Sequence, residues 1–166
     1  MKPTLIATLG LPGSGKSYFA ERLAKDLHFA HLRSDEIRLQ INPKPTYTNE
    51  EHKVVFGLMD FLTLKLLSTG VSVIYDANVN KHIHRQNLRG IAGEQDAKFV
   101  LIYIDTPLEI AIKRAKTREF HPIDQDVVES LHKEMEYMPE EEKVTINGLE
   151  SYEKQRDDIV KQITAE

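Results

Sequence analysis

The sequence contains no cysteine, and this absence excludes several kinds of chemistry. Disulfide bonds, thiolate metal sites and cysteine nucleophiles are ruled out, and a chain without cysteine suits a reducing cytoplasm. The sequence also lacks an apolar run long enough to cross a bilayer. Residues 1–3 lead directly into the first apolar segment, so we expect no signal peptide and a cytoplasmic location.

A surplus of positive charge is also missing. The 166 residues include 22 Lys and Arg against 26 Asp and Glu, which gives a net charge of −4 at pH 7. Such a chain lacks the global field of a non-specific nucleic-acid binder, although it remains compatible with a local site for one phosphate-bearing end. The length and the ordinary share of hydrophobic residues, 40%, predict a single domain over residues 1–166.

A complete phosphate-binding motif, Gly-x-x-x-x-Gly-Lys-Ser, occupies residues 10–17. An apolar run precedes it and a helix-like stretch follows, which is the strand–loop–helix context that the motif requires. Backbone N–H groups of such a loop, together with the helix N-terminus, point at phosphate oxygens. Lys16 is expected to reach the β- and γ-phosphates, and the Ser17 hydroxyl is expected to bind Mg²⁺. The predicted nucleotide-binding residues of the loop are Gly10, Pro12, Gly13, Ser14, Gly15, Lys16 and Ser17.

Apolar segments alternate with helical patterns along the chain, which predicts an α/β fold with a parallel sheet. Strands are expected at residues 5–9, 29–32, 71–75, 99–104 and 144–146. Together with the phosphate loop, this order predicts a three-layer P-loop NTPase sandwich. Its five-stranded sheet carries helices on both faces and a small lid over residues 114–123.

Local patterns predict details of several helices. Capping boxes are expected at two helix starts, Thr48 with Glu51 and Thr106 with Glu109. The helix after Thr48 is expected to bury an apolar face made of Val55, Leu58, Leu62 and Leu66. Residues 82–94 are interpreted as a polar surface helix, whose histidines are a surface pair and not a metal site.

Asp35 and Arg38 follow the second predicted strand, at the edge where open α/β sheets bind ligands. A carboxylate at this edge can accept the proton of an attacking hydroxyl. Arg38 lies on the same helical face and can hold an anionic acceptor group. The alternative is a helix-capping Asp35 and a solvated Arg38. Asn78, after the third strand, either orients substrate or turns the chain.

Asp76 ends the third predicted strand, which is the place of a Walker-B-type acid. Ser17 on the metal with Asp76 behind it is the arrangement that phosphoryl transfer uses for Mg²⁺. Two alternatives stay open. Asp76 can cap a helix without binding metal, or it can face the substrate.

Arg114 and Arg118 are four residues apart and therefore share a helical face. A lid that brings arginine onto the transferring phosphate stabilises the charge that develops there. The alternative is a solvated basic face at a helix C-terminus.

Together these motifs resemble the small P-loop kinases of the polynucleotide-kinase and zeta-toxin-like branch. The resemblance is carried by residues 10–17, 33–38, 73–78, 80, 85, 113–118 and 122–124, and it extends to about residue 139. It implies that Asp35 is the general base and that Arg38 contacts an acceptor phosphate. It also implies that Arg118 and Arg114 clamp the donor phosphates, while Asp76 supports the metal or the acceptor.

We therefore predict an ATP- and Mg²⁺-dependent kinase that phosphorylates a hydroxyl group. The acceptor stays open between a polynucleotide 5′-hydroxyl and a small metabolite, nucleoside or antibiotic. A nucleotide-binding or hydrolysing switch is the alternative from another class, but the sequence lacks the Asn-Lys-x-Asp motif of guanine recognition. A binding module without catalysis is a third, which the filled chemical positions disfavour. ATP and a hydroxyl-bearing acceptor are the expected partners, no membrane is expected, and the oligomeric state is left open.

Overall fold

Five parallel strands form the central sheet in the computed structural model, which describes residues 2–118 and 121–165. The strands are β1 (Thr4–Leu9), β2 (Ala30–Arg33), β3 (Val73–Asp76), β4 (Lys98–Asp105) and β5 (Val144–Asn147). The helices are α1 (Lys16–Leu27), α2 (Ser34–Ile41), α3 (Asn49–Ser68), α4 (His82–Glu94), α5 (Leu108–Lys116), α6 (Gln125–Glu134) and α7 (Tyr152–Thr164). Two residues of the predicted lid, Glu119 and Phe120, lie outside the described residues.

The strand order β2-β3-β1-β4-β5 places β1 at the centre of the sheet. It pairs in parallel with β3 on one side and with β4 on the other. The chain therefore winds in opposite directions on either side of β1, and the carboxyl ends of all strands meet at one edge. Ligands of open α/β sheets bind at that edge, next to the strand where the winding reverses. The phosphate loop follows β1, and Arg33 and Asp76 are paired at the ends of β2 and β3.

Alternate side chains of β1 enter two separate hydrophobic cores, because successive strand residues point to opposite faces. Leu5, Ala7 and Leu9 pack with residues of α3 and α4 on one face. Ile6 packs with residues of α1 and α7 on the other. The predicted α/β fold, with a parallel five-stranded sheet between two helical layers, is confirmed.

The predicted apolar face of α3 is wrong in its register. The helix buries Val55, Met59, Thr63 and Leu67, whereas Leu58 is 38% exposed. Periodicity could not choose between Leu58 and Met59, because both are apolar and lie one helical turn from Val55. Thr63 is tolerated in this core because its hydroxyl donates to the Met59 carbonyl at 2.8 Å.

Helix α4 was predicted to be a polar surface helix, but its arginine Arg85 is fully buried. The guanidinium donates to the Val79 carbonyl at 2.9 Å and to the Glu136 carbonyl at 2.7 Å, and it pairs with the Glu141 carboxylate. Arg85 therefore fastens the segment after α6 to the start of α4. A charged residue in a polar stretch gave no indication of this burial.

Only part of the capping predictions is correct. The Thr48 hydroxyl accepts from the Glu51 N–H at 3.3 Å, so Thr48 caps α3 as predicted. The Glu51 carboxylate does not complete the box, because it turns to other partners described below. Thr106 does not cap α5, which begins at Leu108 after Pro107. Its hydroxyl instead donates to the Ser14 carbonyl at 2.9 Å and ties the phosphate loop to the sheet edge.

Candidate active site

Three glycines shape the phosphate loop because they adopt positive φ angles, +150° at Gly10, +79° at Gly13 and +104° at Gly15. Gly13 also packs directly against α5. A Cβ atom at this position would lie 2.1 Å from the Ala111 carbonyl oxygen and 2.8 Å from the Ala115 nitrogen. The loop therefore keeps its concave shape only with glycine at position 13.

We predict that Gly13→Ala abolishes nucleotide binding and lowers the melting temperature. The left-handed conformation alone costs about 1–3 kcal/mol for a residue with a side chain, and the clash with α5 adds to it. Gly93→Ala in α4 is the matched control, because its Cβ would meet no heavy atom within 4 Å. The control should bind nucleotide normally and melt at or slightly above the wild-type temperature. Normal nucleotide binding by Gly13→Ala would contradict the packing argument.

Lys16 begins α1 and turns back over the loop, where its ammonium donates to the carbonyls of Gly10 and Leu11 at 2.8 and 2.9 Å. Burial lowers the pKa of Lys16 to about 8, against the opposing influence of the nearby Asp76 carboxylate. A partly buried cation whose hydrogen bonds go to backbone carbonyls fits a site for an anion.

We predict that nucleotide affinity falls as the pH rises above 8. In the free protein Lys16 loses its proton around pH 8, whereas bound phosphates would raise the pKa of the same ammonium. Affinity is then fully present below pH 8 and falls by up to about tenfold per pH unit above it. Titration calorimetry with a non-hydrolysable ATP analogue between pH 6.5 and 9.5 measures this. A flat profile would show that Lys16 does not hold the phosphates.

Asp76 is 3% exposed at the end of β3, with the Ser17 hydroxyl beside it. His31 on β2 contacts it through Nε2 at 3.1 Å from Oδ2. Burial acts to raise the pKa of Asp76, but the hydrogen bonds from His31 and Ser17 outweigh it and the pKa lies below its usual value. The helix-capping alternative is wrong, because α4 begins only at His82.

The pairing of a hydroxyl and a carboxylate fits Mg²⁺, which prefers oxygen ligands and keeps several waters and substrate phosphates around it. Within residues 2–118 and 121–165, no group of three His, Asp or Glu side chains is placed to hold a metal ion by itself. Ser17 and Asp76 fit the predicted Mg²⁺ pair beside the phosphate loop, and this role stays a prediction. His31 was not predicted, since a lone histidine in a short strand gave no signal.

Asp35 lies in the first turn of α2, one residue past the helix start, and so does not cap the helix. Its Oδ2 accepts from Arg118 Nη2 at 3.0 Å, and both side chains remain partly exposed. A second contact joins the same two regions, since the rings of Tyr47 and His121 stack 4.2 Å apart. The residues after α5 thus reach across the cleft to the segment from α2 to α3.

Arg38 is not solvated, because only 3% of the residue is exposed. Its Nη1 donates to Glu51 at 2.8 Å and its Nη2 contacts His52 Nδ1 at 3.1 Å. The Glu51 carboxylate also accepts from the N–H groups of Thr46 and Tyr47. Burial acts to raise the pKa of Glu51, but these bonds lower it to about 2. Glu51 thus fixes Arg38 in the wall of the cleft, and the predicted contact of Arg38 with an acceptor phosphate stays a prediction.

Arg114 lies on α5 and donates through Nη1 to the Gly148 carbonyl at 2.8 Å. Gly148 follows β5 and is itself tightly packed, since a Cβ there would lie 1.8 Å from Thr106 Oγ1. Arg114 therefore links α5 to the turn after β5, at the side of the phosphate loop. Arg114 is otherwise exposed, and its predicted contact with the donor phosphates stays a prediction.

These elements surround a cleft of about 790 Å³. Of the predicted site residues, all but two line it, and Gly10 and Ser14 lie behind the loop surface. Asn78 lines the cleft and also turns the chain, because its Oδ1 accepts from the Asn80 N–H at 3.0 Å. The cleft carries five cationic side chains, Lys16, Arg33, Arg38, Arg114 and Arg118.

Several lining residues were not predicted as site residues, although Arg33 and Asp124 belong to the motifs that carry the family resemblance. They include Tyr18, Arg33, Tyr47, His52, His121, Asp124, Val127 and Leu131. Arg33 could have been predicted from the sequence, because it ends β2 at the edge of the sheet where ligands bind. The rings of Tyr47 and His121 meet only through the tertiary fold, so no local pattern could have found them.

Comparison with known proteins bears on the family and on the fold. The profile of the AAA domain family matches residues 5–140. The chain belongs to this family. The curated relatives that it matches are kinases, in line with the P-loop kinase that the phosphate loop and the motifs after β2 and β3 predicted.

One relative is the L-seryl-tRNA(Sec) kinase of Methanococcus maripaludis, 27% identical over 137 residues, which is 80% of this chain and 52% of that protein. The chain thus spans about half the length of that relative. Another is a probable gluconokinase of Schizosaccharomyces pombe, 25% identical over 98% of this chain and 90% of that protein.

Among solved structures, the APS kinase of Mycobacterium tuberculosis in complex with AMPPNP and APS superposes with a TM-score of 0.74 at 18% identity, over 99% of both chains. This likeness concerns the fold alone. Among the residues that the structure describes, no helix combines the length and the hydrophobicity that crossing a membrane requires.

Proposed function

We propose that the chain transfers the γ-phosphoryl group of ATP, with Mg²⁺, to a hydroxyl group positioned at Asp35. The observation that carries this proposal is that Arg118 joins the two halves of the cleft. It donates to Asp35 and lies close enough to Lys16 to influence the pKa of that ammonium. In this proposal residues 114–123 are the lid of one domain spanning residues 1–166.

The donor half of the cleft is the phosphate loop with the end of β3. Lys16 and the loop amides bind the β- and γ-phosphates, and the carbonyls that Lys16 now contacts are exchanged for phosphate oxygens. Ser17 and Asp76 would hold Mg²⁺, which would neutralise charge on the phosphate oxygens. His31 keeps the Asp76 carboxylate oriented and ionised.

The acceptor half is the start of α2. Asp35 takes the proton of the acceptor hydroxyl while the hydroxyl oxygen bonds to the γ-phosphorus. The bond from that phosphorus to the β–γ bridging oxygen breaks, and ADP leaves. Arg118 moves from Asp35 to the transferring phosphoryl group, whose charge it stabilises. The Asp35 carboxylate therefore becomes free to act as a base only when ATP is bound, because Arg118 then contacts the phosphoryl group.

The family does not fix the acceptor, because one relative is named a kinase of L-seryl-tRNA(Sec) and another a gluconokinase. Both acceptors that the sequence left open, a polynucleotide 5′-hydroxyl and a small metabolite, therefore enter the test. The cationic side chains of the cleft support phosphate binding. They do not distinguish the two acceptors, because the donor nucleotide alone would contact many of them.

The experiment is to incubate the protein with γ-labelled ATP, Mg²⁺ and separate pools of 5′-hydroxyl oligonucleotides, nucleosides, sugars and aminoglycoside-like alcohols. We expect label in one acceptor pool and none with Lys16→Ala. Label found only in inorganic phosphate, with every pool, would overturn the kinase proposal in favour of a hydrolysing switch.

A further inference from the structure

A second cavity, of about 610 Å³, lies between α3 and α4. We call it the helix groove; it is lined by His52, Lys53, Phe56, Asp60, Tyr75, Val79, Ile83, His84, Gln86, Asn87 and Leu88. His52 lines both this groove and the active-site cleft, and its ring contacts Arg38. Of the described residues, His52 is therefore the one lining residue that the two cavities share.

Aromatic rings line one part of the helix groove. The ring of Phe56 lies 5.8 Å from that of His52, 5.6 Å from that of His84 and 6.4 Å from that of Tyr75. At the opening, Ile83 is 65% exposed, which is unusual for a large apolar side chain. Such a surface suits a flat, unsaturated ring better than a highly hydroxylated sugar.

A single carboxylate, Asp60, lies within these aromatic walls. Its Oδ1 accepts from the Tyr75 hydroxyl and its Oδ2 from the Asn87 amide, each at 2.8 Å. Both donors are neutral, and no Lys, Arg or His of the described residues lies within ion-pair distance of Asp60. Burial raises the pKa of the Asp60 carboxyl above its usual value. Since each carboxylate oxygen can accept two hydrogen bonds, Asp60 keeps free capacity for N–H groups of a ligand.

We propose that the helix groove binds a nucleobase with an exocyclic amino group, carried by the acceptor whose hydroxyl lies at Asp35. The base stacks on Phe56 and donates its amino N–H to Asp60, in the manner of proteins that read unpaired bases. The same base can belong to a free nucleoside or to the end of an oligonucleotide. This inference rests on the proposed kinase function and names the acceptor class for it.

The test compares cytidine with uridine, which lacks the exocyclic amino group, both as free nucleosides and as the 5′-terminal residues of short 5′-hydroxyl oligonucleotides. Phosphorylation gives KM and kcat, and titration calorimetry gives Kd. We expect wild-type KM and Kd to be about fivefold or more lower for cytosine. Asp60→Asn should reduce that preference to less than about twofold, because an amide accepts fewer bonds. Tighter binding of the oligonucleotides than of the nucleosides would identify a polynucleotide end as the source.

Phe56→Leu keeps an apolar side chain, although a smaller one, and removes the stacking surface. It should raise KM and Kd for both bases by about fivefold to a hundredfold, with kcat and the Kd for an ATP analogue unchanged. Phe61→Leu is the matched control, because Phe61 lies on the same helix but outside the groove and is 56% exposed. Melting temperatures establish that each variant is folded, and Asp60→Asn tests the site independently of Phe56.

The outcomes separate the two proposals. If no hydroxyl is phosphorylated but cytosine probes bind and Phe56→Leu weakens them, the kinase proposal and the acceptor role of the groove fail, while binding of the base by the groove stands. If another acceptor class is phosphorylated with a KM that neither variant changes, and cytosine probes do not bind, the kinase proposal stands and the groove proposal is overturned.

Discussion

Asp35→Asn is expected to reduce kcat about 10²- to 10⁴-fold, the range typical for loss of a general base. The Kd for MgATP should change by less than about threefold, because Asp35 belongs to the acceptor half of the cleft. The amide can still accept from Arg118, so the contact across the cleft is not lost. Single-turnover transfer of labelled phosphate, together with calorimetry on an ATP analogue, measures both quantities.

Glu36→Gln is the matched control for this variant. Glu36 is the next residue of α2, its side chain is 66% exposed, and it does not line the cleft. It should leave kcat and nucleotide affinity unchanged. If Asp35→Asn lowers nucleotide affinity as much as it lowers turnover, Asp35 has a structural role at the start of α2 and is not the base.

Arg118→Ala is expected to reduce kcat about 10³-fold or more, since an arginine on the transferring phosphoryl group is worth 10³–10⁵ in rate. The Kd for ATP should rise far less, because Lys16 and the loop amides still hold the phosphates. Lysine at this position should recover little, as it cannot form the paired hydrogen bonds of a guanidinium. Steady-state kinetics measure kcat, and titration calorimetry with an ATP analogue measures the Kd.

Lys116→Ala is the control for Arg118, because this lysine is exposed and contacts Gln125 outside the cleft. It should behave as wild type, which would exclude a general effect of lid charge. An unchanged kcat for Arg118→Ala would remove Arg118 from the mechanism and leave its bond to Asp35 as a surface ion pair of little energetic consequence.

The donor half of the site was predictable from the sequence because its geometry is local. The loop from Gly10 to Ser17 is a contiguous segment, and its glycines are required by backbone angles that the motif itself implies. Asp35 and Asp76 were also predictable, since each ends or follows an apolar strand and parallel strands bring those ends to one edge.

The environment of Arg38 was not predictable. Glu51 had an apparent role as the partner of Thr48 in a capping box, yet its carboxylate turns toward Arg38 and the segment before α3. The helix groove was missed for the same reason. Asp60 on α3 accepts directly from Asn87 on α4 and from Tyr75 on β3, and these three residues meet only in the folded protein.

The most direct measurement follows the label of γ-labelled ATP into organic phosphate and into inorganic phosphate in the same reaction, for wild type and Asp35→Asn. The proposed kinase places the label in the acceptor with the wild-type protein and loses that transfer in the variant while ATP remains bound. Release of label only as inorganic phosphate, at equal rates in both proteins, would contradict it.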